Sequence, residues 1–186
     1  MKIGIVEPVG NYGGMDHYNY GLLSGLSETE CEVCLYTSGT NLIGDELVNS
    51  EVKTFYQGVY QTGATWLKGL KFLGASIRTV NDAKRQGMGL LHFHFFQLGF
   101  IELVNVLLTR WAGLLPIATI HDVNPLAGSS SQVVEKRLLG QLAGVITHNK
   151  LSQQALVAKD IPLPDAQTII PPVSYTHLTL PTTPYV

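Results

Sequence analysis

Two adjacent glycines, Gly13 and Gly14, lie where a predicted strand over residues 2–7 gives way to a predicted helix. Glycine lets the backbone approach a bulky anion closely, and the free N–H groups at the start of a helix point toward that anion. The pair therefore suits a phosphate-binding turn. The G-x-G-x-x-G spacing of dinucleotide-binding proteins is absent, which disfavours an NAD site. A tight turn that needs a positive φ is the alternative explanation.

Histidines mark the ends of two further predicted strands. His92 and His94 are two residues apart on one strand, so both side chains face the same side of it. His121 and Asp122 emerge at the carboxyl end of another strand, where a histidine can form hydrogen bonds or handle a proton near neutral pH. A metal ion would need His121 or Asp122 as a third ligand beside His92 and His94. Local hydrogen bonding at a strand end is the interpretation that the pattern favours.

Short apolar runs that alternate with helical patterns position these residues. The predicted strands cover residues 2–7, 32–37, 52–56, 90–95, 117–121, 144–147 and 168–170. The predicted helices cover residues 14–26, 66–85, 98–112, 132–142 and 151–158. This order predicts an α/β fold with a doubly wound, mostly parallel, Rossmann-like sheet. Ligands bind such sheets beyond the carboxyl ends of the strands, where the glycines and histidines lie.

The composition limits the classes of function. The chain has 186 residues, 45% hydrophobic and 14% charged, which suits one domain whose central strands are covered on both faces. A net charge of −2 argues against a nucleic-acid partner. Cys31 and Cys34 provide no disulfide framework, which indicates a cytoplasmic protein with ordinary core or edge cysteines. No signal peptide is visible, and charged residues within the apolar stretch 98–115 predict a buried helix and not a membrane span.

The predicted helix over residues 66–85 is strongly basic. Six of the twelve Lys and Arg residues lie between positions 53 and 85, where Asp82 is the one acid. Helical spacing predicts one apolar face, formed by Trp66, Leu70, Leu73, Ile77 and Val80. The opposite face carries Lys68, Lys71, Arg78 and Arg85. A core-packed helix with a solvated basic face is the simpler interpretation, and attraction to an anionic membrane or acceptor is the alternative.

Residues 174–186 depart from this alternation. They carry no formal charge, four threonines and two prolines, and they continue neither a helix nor a strand. We interpret them as a non-native tail, with a genuine flexible linker as the alternative. The predicted domain therefore covers residues 1–173.

Taken together, these motifs resemble the N-terminal domain of family 4 glycosyltransferases, which are retaining enzymes of the two-domain GT-B type. The opening strand, glycine pair and helix over residues 2–26 match that family's first βα unit. Leu91-His-Phe-His94 is similar to its I-H-x-H strand. The further matching segments are Thr119-Ile-His-Asp122, Val145-Ile-Thr-His-Asn149 and Thr168-Ile-Ile-Pro-Pro-Val173.

The resemblance implies transfer of a sugar from a nucleotide-sugar donor to a carbohydrate or lipid-linked acceptor, with no cofactor and no metal. It implies that Gly13 and Gly14 approach the donor diphosphate and that His121 contacts the donor sugar as the catalytic residue. The implied acceptor-side residues are Asp16, His17, Tyr18, His94, Asp122 and Asn124. The family's donor-binding domain has no counterpart in this sequence, so we expect an inactive fragment, cytoplasmic or peripheral at the inner face of the membrane.

Two other hypotheses use the same residues. A non-catalytic phosphate- or nucleotide-binding Rossmann module would need the glycine turn without His121 beside it. A metal-dependent hydrolase would use His92, His94 and His121 as ligands.

Overall fold

A seven-stranded parallel sheet dominates the computed structural model, which describes residues 1–10, 14–40, 50–60, 64–123, 131–159 and 163–171. The strands are β1 (Lys2–Glu7), β2 (Glu32–Thr37), β3 (Ser50–Lys53), β4 (Leu90–Phe95), β5 (Leu115–Ile120), β6 (Gly144–Thr147) and β7 (Ala166–Ile169). The helices are α1 (Met15–Ser27), α2 (Thr65–Arg85), α3 (Phe100–Trp111), α4 (Gln132–Leu139) and α5 (Lys150–Ala158). Gly13, Asn124 and the predicted tail 174–186 lie outside the described residues.

The strand order is β3-β2-β1-β4-β5-β6-β7, and every neighbouring pair is parallel. The central strands are apolar because both faces of the sheet are covered. Val6 packs into the larger core beneath α2 and α3, whereas its neighbour Ile5 packs into a smaller cluster with Leu23 of α1. The strand order reverses between β1 and β4, which places a crevice at their carboxyl ends.

The sequence predicted every described strand and helix, and the α/β, doubly wound fold class is confirmed. The largest shift concerns β3, which runs from Ser50 to Lys53 and not over residues 52–56. The chain leaves the strand because Tyr56 turns into the core, where its ring is fully buried and its hydroxyl lies 3.4 Å from Ser76 Oγ.

The predicted apolar face of α2 is wrong. Of the five residues assigned to it, only Val80 is buried. The other buried residues of the helix are Ala75, Ser76, Thr79 and Ala83. The buried side of the helix is therefore lined mostly by small side chains. The large residues therefore point outward, and we call them the α2 stripe: Trp66 (69% exposed), Leu70 (57%), Leu73 (39%) and Ile77 (43%).

The apolar stretch around α3 contains a helix of 12 residues, from Phe100 to Trp111. Leu103 and Val106 face the core. Among the helices that the structure describes, none is both long and apolar enough to cross a membrane.

Candidate functional site

Three histidine rings lie around the ring of Tyr18 at the carboxyl edge of the sheet. The centroid of the Tyr18 ring is 5.2 Å from those of His94 and His121 and 5.5 Å from that of His148. The ring of His92 lies 4.9 Å from that of His94. We call His92, His94, His121 and His148 the histidine cluster.

Strand register brings these residues together. His94 of β4 lies opposite Thr119 of β5, and Ile120 lies opposite Thr147 of β6. His121 and His148 each follow directly after the strand end, so both emerge at the same edge of the sheet. The sequence did not single out His148, although it follows its strand just as His121 follows the preceding one.

Hydrogen bonds hold three of the four rings of the cluster in place. His148 Nδ1 lies 3.0 Å from the carbonyl oxygen of Ile170, and His148 Nε2 lies 3.0 Å from His121 Nδ1. His92 Nε2 lies 2.7 Å from Thr119 Oγ1.

Burial keeps His92, His94 and His121 neutral at pH 7. It lowers the pKa of His92 and of His121 to about 4 in each case. Burial also lowers the pKa of His94, and the neighbouring imidazoles add to this effect because like charges repel. Neutral rings offer a lone pair to a hydrogen-bond donor, so the site is suited to accept hydrogen bonds from a ligand.

Four buried polar atoms at this edge have no hydrogen-bond partner within the described part of the chain. They are His94 Nδ1, His94 Nε2, His121 Nε2 and Thr147 Oγ1. Buried polar groups in native proteins are nearly always hydrogen-bonded, because leaving one unpaired costs about 1–3 kcal/mol. Their concentration at one place marks this edge as the candidate site.

The turn before α1 adjoins this edge. Gly14 caps the helix with φ of 79°, in the left-handed region, and a Cβ added there would have no described heavy atom within 4 Å. Its carbonyl oxygen accepts a hydrogen bond from the Tyr18 amide at 3.2 Å, so the turn and the tyrosine are linked. The N–H groups of the first helical turn lack intrahelical partners and suit an anion.

Glu7 fixes the chain at the end of β1. Its fully buried carboxylate accepts hydrogen bonds from the amides of Val9 (2.8 Å) and Gly10 (2.7 Å) and from Asn19 Nδ2 (3.3 Å). Burial raises the pKa of Glu7, and these hydrogen bonds oppose the rise. The carboxylate thus joins strand, loop and α1, a positioning role that the sequence analysis missed although Glu7 ends an otherwise apolar strand.

The other predicted acceptor-side residues have different surroundings. Asp16 is buried and accepts a hydrogen bond from the Thr40 hydroxyl, whereas His17 and Asp122 are exposed. The structure therefore brings Tyr18, His94 and His121 together, with Asp122 adjacent in the chain.

A cavity of about 230 Å³ opens at the same edge, on the side of α2 and α3. Phe96, which stacks on His121 with 4.7 Å between ring centroids, belongs to its wall. The remaining lining is mainly apolar, with a few polar groups: Val6, Pro8, Val9, Tyr60, Phe72, Phe93, His94, Phe95, Gln97, Glu102 and Asn105.

The described residues contain no group of three or more His, Cys, Asp or Glu side chains placed to hold a metal ion. The arrangement of His92, His94 and His121 therefore gives the hydrolase hypothesis no support.

No protein-family model matches the sequence, and no curated protein matches it. Solved structures do match. MurG of Acinetobacter baumannii is 13% identical with a TM-score of 0.56, over 93% of this chain and 46% of that protein. Sucrose-phosphate synthase of Thermosynechococcus elongatus is 14% identical with a TM-score of 0.61, over 92% of this chain and 48% of that one.

UGT2 of Phytolacca americana, solved with UDP-2-fluoro-glucose and pterostilbene, is 10% identical with a TM-score of 0.57, over 94% of this chain and 53% of that one. These neighbours are GT-B proteins, and at such identities the likeness shows the fold alone. The chain spans about half the length of the solved structures that it matches.

Proposed function

We propose that residues 1–173 form the acceptor-side domain of a retaining family 4 glycosyltransferase, which moves a sugar, a hexose in particular, from a nucleotide-sugar donor to an acceptor hydroxyl. The observation that carries the proposal is the set of unpartnered buried polar atoms beside the left-handed Gly14 turn. A phosphate site and a hydroxyl-binding site then adjoin each other, as a nucleotide sugar requires. One structural neighbour was solved with a nucleotide-sugar analogue, UDP-2-fluoro-glucose, which supports this choice.

In the proposed reaction the nucleotide diphosphate leaves while the acceptor hydroxyl attacks the same face of the sugar. The main physical demand is stabilisation of the negative charge that develops on the leaving phosphate. The turn at Gly14 and the first amides of α1 supply part of that stabilisation, and a donor-binding domain supplies the rest. His121 holds a hydroxyl of the donor sugar, while Tyr18, His94 and Asp122 line the acceptor side. The nucleotide sugar is a substrate, so the proposal needs no cofactor.

Gly14→Ala tests the phosphate part of the proposal. The added Cβ meets no described atom, but L-residues disfavour the left-handed region by about 1–2 kcal/mol, so the turn should shift away from the diphosphate. In a protein that joins this domain to a donor-binding domain, we expect roughly tenfold weaker binding of nucleotide sugars by isothermal titration. Gly25→Ala is the matched control, because it also adds a methyl group to α1 where no described atom lies within 4 Å. Equal affinity in both variants would remove Gly14 from the site.

We also propose that the domain contacts an anionic membrane surface. The protein is then cytoplasmic and held at the inner face of the membrane. The α2 stripe exposes four large apolar side chains, and five of the chain's twelve Lys and Arg residues lie on the same helix. Its single acid, Asp82, is already paired with Lys53 at 2.6 Å. An exposed apolar stripe beside uncompensated positive charge is typical of helices that lie in the lipid interface.

Vesicle binding measures this contact. Trp111→Phe leaves Trp66 as the one tryptophan, so its emission should shift to the blue with anionic vesicles. Binding should weaken as salt rises, because the Debye length falls from about 10 Å at 0.1 M to about 3 Å at 1 M. Leu70→Ser/Leu73→Ser should abolish the shift, while Leu151→Ser, exposed on α5, should preserve it. Equal binding to neutral and anionic vesicles would contradict the electrostatic part of the proposal.

A further inference from the structure

His148 joins the end of β7 to the proposed catalytic histidine. We infer that His148 is a positioning residue that holds the proton of His121 on Nδ1, so that His121 Nε2 faces the substrate as a hydrogen-bond acceptor. This inference rests on the proposed function and adds to it the residue that fixes the tautomer of His121, and so the reason why His121 binds a hydroxyl of the sugar and not an oxygen of the diphosphate.

The first step concerns His148 Nδ1, which lies 3.0 Å from the carbonyl oxygen of Ile170. A carbonyl oxygen can accept a hydrogen bond but cannot donate one, so Nδ1 must carry a proton. When the His148 ring carries a single proton, that proton lies on Nδ1 and Nε2 carries none. The Ile170 carbonyl is well placed to set this tautomer, because the Ile170 amide donates to Thr147 O at 2.9 Å and so holds the segment against β6.

The second step applies the same hydrogen-bond argument to His121. Since His148 Nε2 is an acceptor, its 3.0 Å contact with His121 Nδ1 requires the proton to lie on His121 Nδ1. The His121 ring is partly buried and neutral at pH 7, so it carries one proton and its Nε2 carries a lone pair. Nε2 is also the nitrogen of this ring that has no hydrogen-bond partner among the described residues.

The consequence is chemical selectivity. A bare nitrogen attracts an O–H or N–H donor and repels a phosphate oxygen, which offers only lone pairs. The rings of Phe96 and Tyr18 pack on His121, so the imidazole cannot easily rotate to present its N–H instead. His121 Nε2 is therefore built to accept a hydrogen bond from a sugar hydroxyl.

Nitrogen NMR of the ¹⁵N-histidine-labelled chain tests the inference without any substrate. At pH 7 we expect long-range ¹H–¹⁵N correlations of His121 to show the Nδ1–H tautomer. His148→Phe keeps a ring but removes both hydrogen bonds, so the His121 signals should move toward the Nε2–H tautomer that free histidine favours. His148→Gln can still place an acceptor oxygen near His121 and should restore much of the wild-type pattern.

His92→Gln is the control, because the His92 ring bonds Thr119 and not His121. An Nε2–H tautomer of His121 in the wild-type chain would overturn the inference. This measurement does not depend on whether a variant folds. An unchanged His121 pattern in folded His148→Phe would do the same. Neither result depends on sugar transfer, so a failure of the proposed function remains separate from a failure of this inference.

Discussion

Lowering the pH from 7 to 5 is expected to remove roughly 4 kcal/mol from the folding free energy of this domain, because buried histidines must remain neutral. Burial lowers the pKa of His92 and His121 to about 4, whereas an unfolded histidine titrates near 6.5. Between these values the unfolded chain binds protons that the folded chain does not. The stabilisation is therefore complete above pH 6.5 and is lost as the pH falls toward 4, by roughly 2 kcal/mol for each ring at pH 5.

Urea unfolding at a series of pH values measures this loss. Glu7 acts in the opposite direction, since burial raises its pKa and protonation then favours the folded state. The double variant His92→Gln/His121→Gln isolates the histidines, because glutamine keeps a hydrogen-bonding group but does not titrate. We expect the variant to lose most of the pH dependence between 7 and 5. Parallel curves for variant and wild type would show that these rings are not the cause.

Replacing His121 with alanine should lower turnover about a hundredfold in a protein that pairs this domain with a donor-binding domain. Loss of one preorganised polar contact in the transition state typically costs about 3 kcal/mol. Donor affinity should remain near normal, because the diphosphate is held elsewhere, by the turn at Gly14 and the first amides of α1. Product formation under saturating donor measures turnover, and isothermal titration measures affinity.

His121→Gln refines this experiment. Its side-chain oxygen can still accept a hydrogen bond near the position of His121 Nε2, so it should retain more activity than His121→Ala. Full turnover in His121→Ala would remove this residue from the catalytic machinery.

The sheet could be predicted because its strands are short apolar runs between turns, a local pattern that survives tertiary packing. The orientation of α2 could not. Both the large apolar residues of the α2 stripe and the small set around Ala75 recur at helical spacing, so periodicity alone offers two candidate faces. In the folded chain the small residues face the core and the large ones face outward.

The candidate site likewise contains residues that the sequence could predict and residues that it could not. His94 and His121 could be found from the sequence because each lies at the end of an apolar strand. The roles of His148 and Glu7 depend on partners 22 and 12 residues away, Ile170 and Asn19, whose positions only the folded chain defines. Tautomers likewise follow from three-dimensional contacts and not from residue types.

The most direct test of the proposed function is a product assay with a panel of nucleotide sugars and acceptors. One set of reactions contains the 186-residue chain, and a second set contains residues 1–173 joined to a donor-binding domain. We expect sugar transfer with retained anomeric configuration by the joined protein and none by the chain alone. Full turnover by the chain alone would contradict the two-domain account, and the absence of transfer from every nucleotide sugar to every acceptor by a folded, joined protein would contradict the proposed activity.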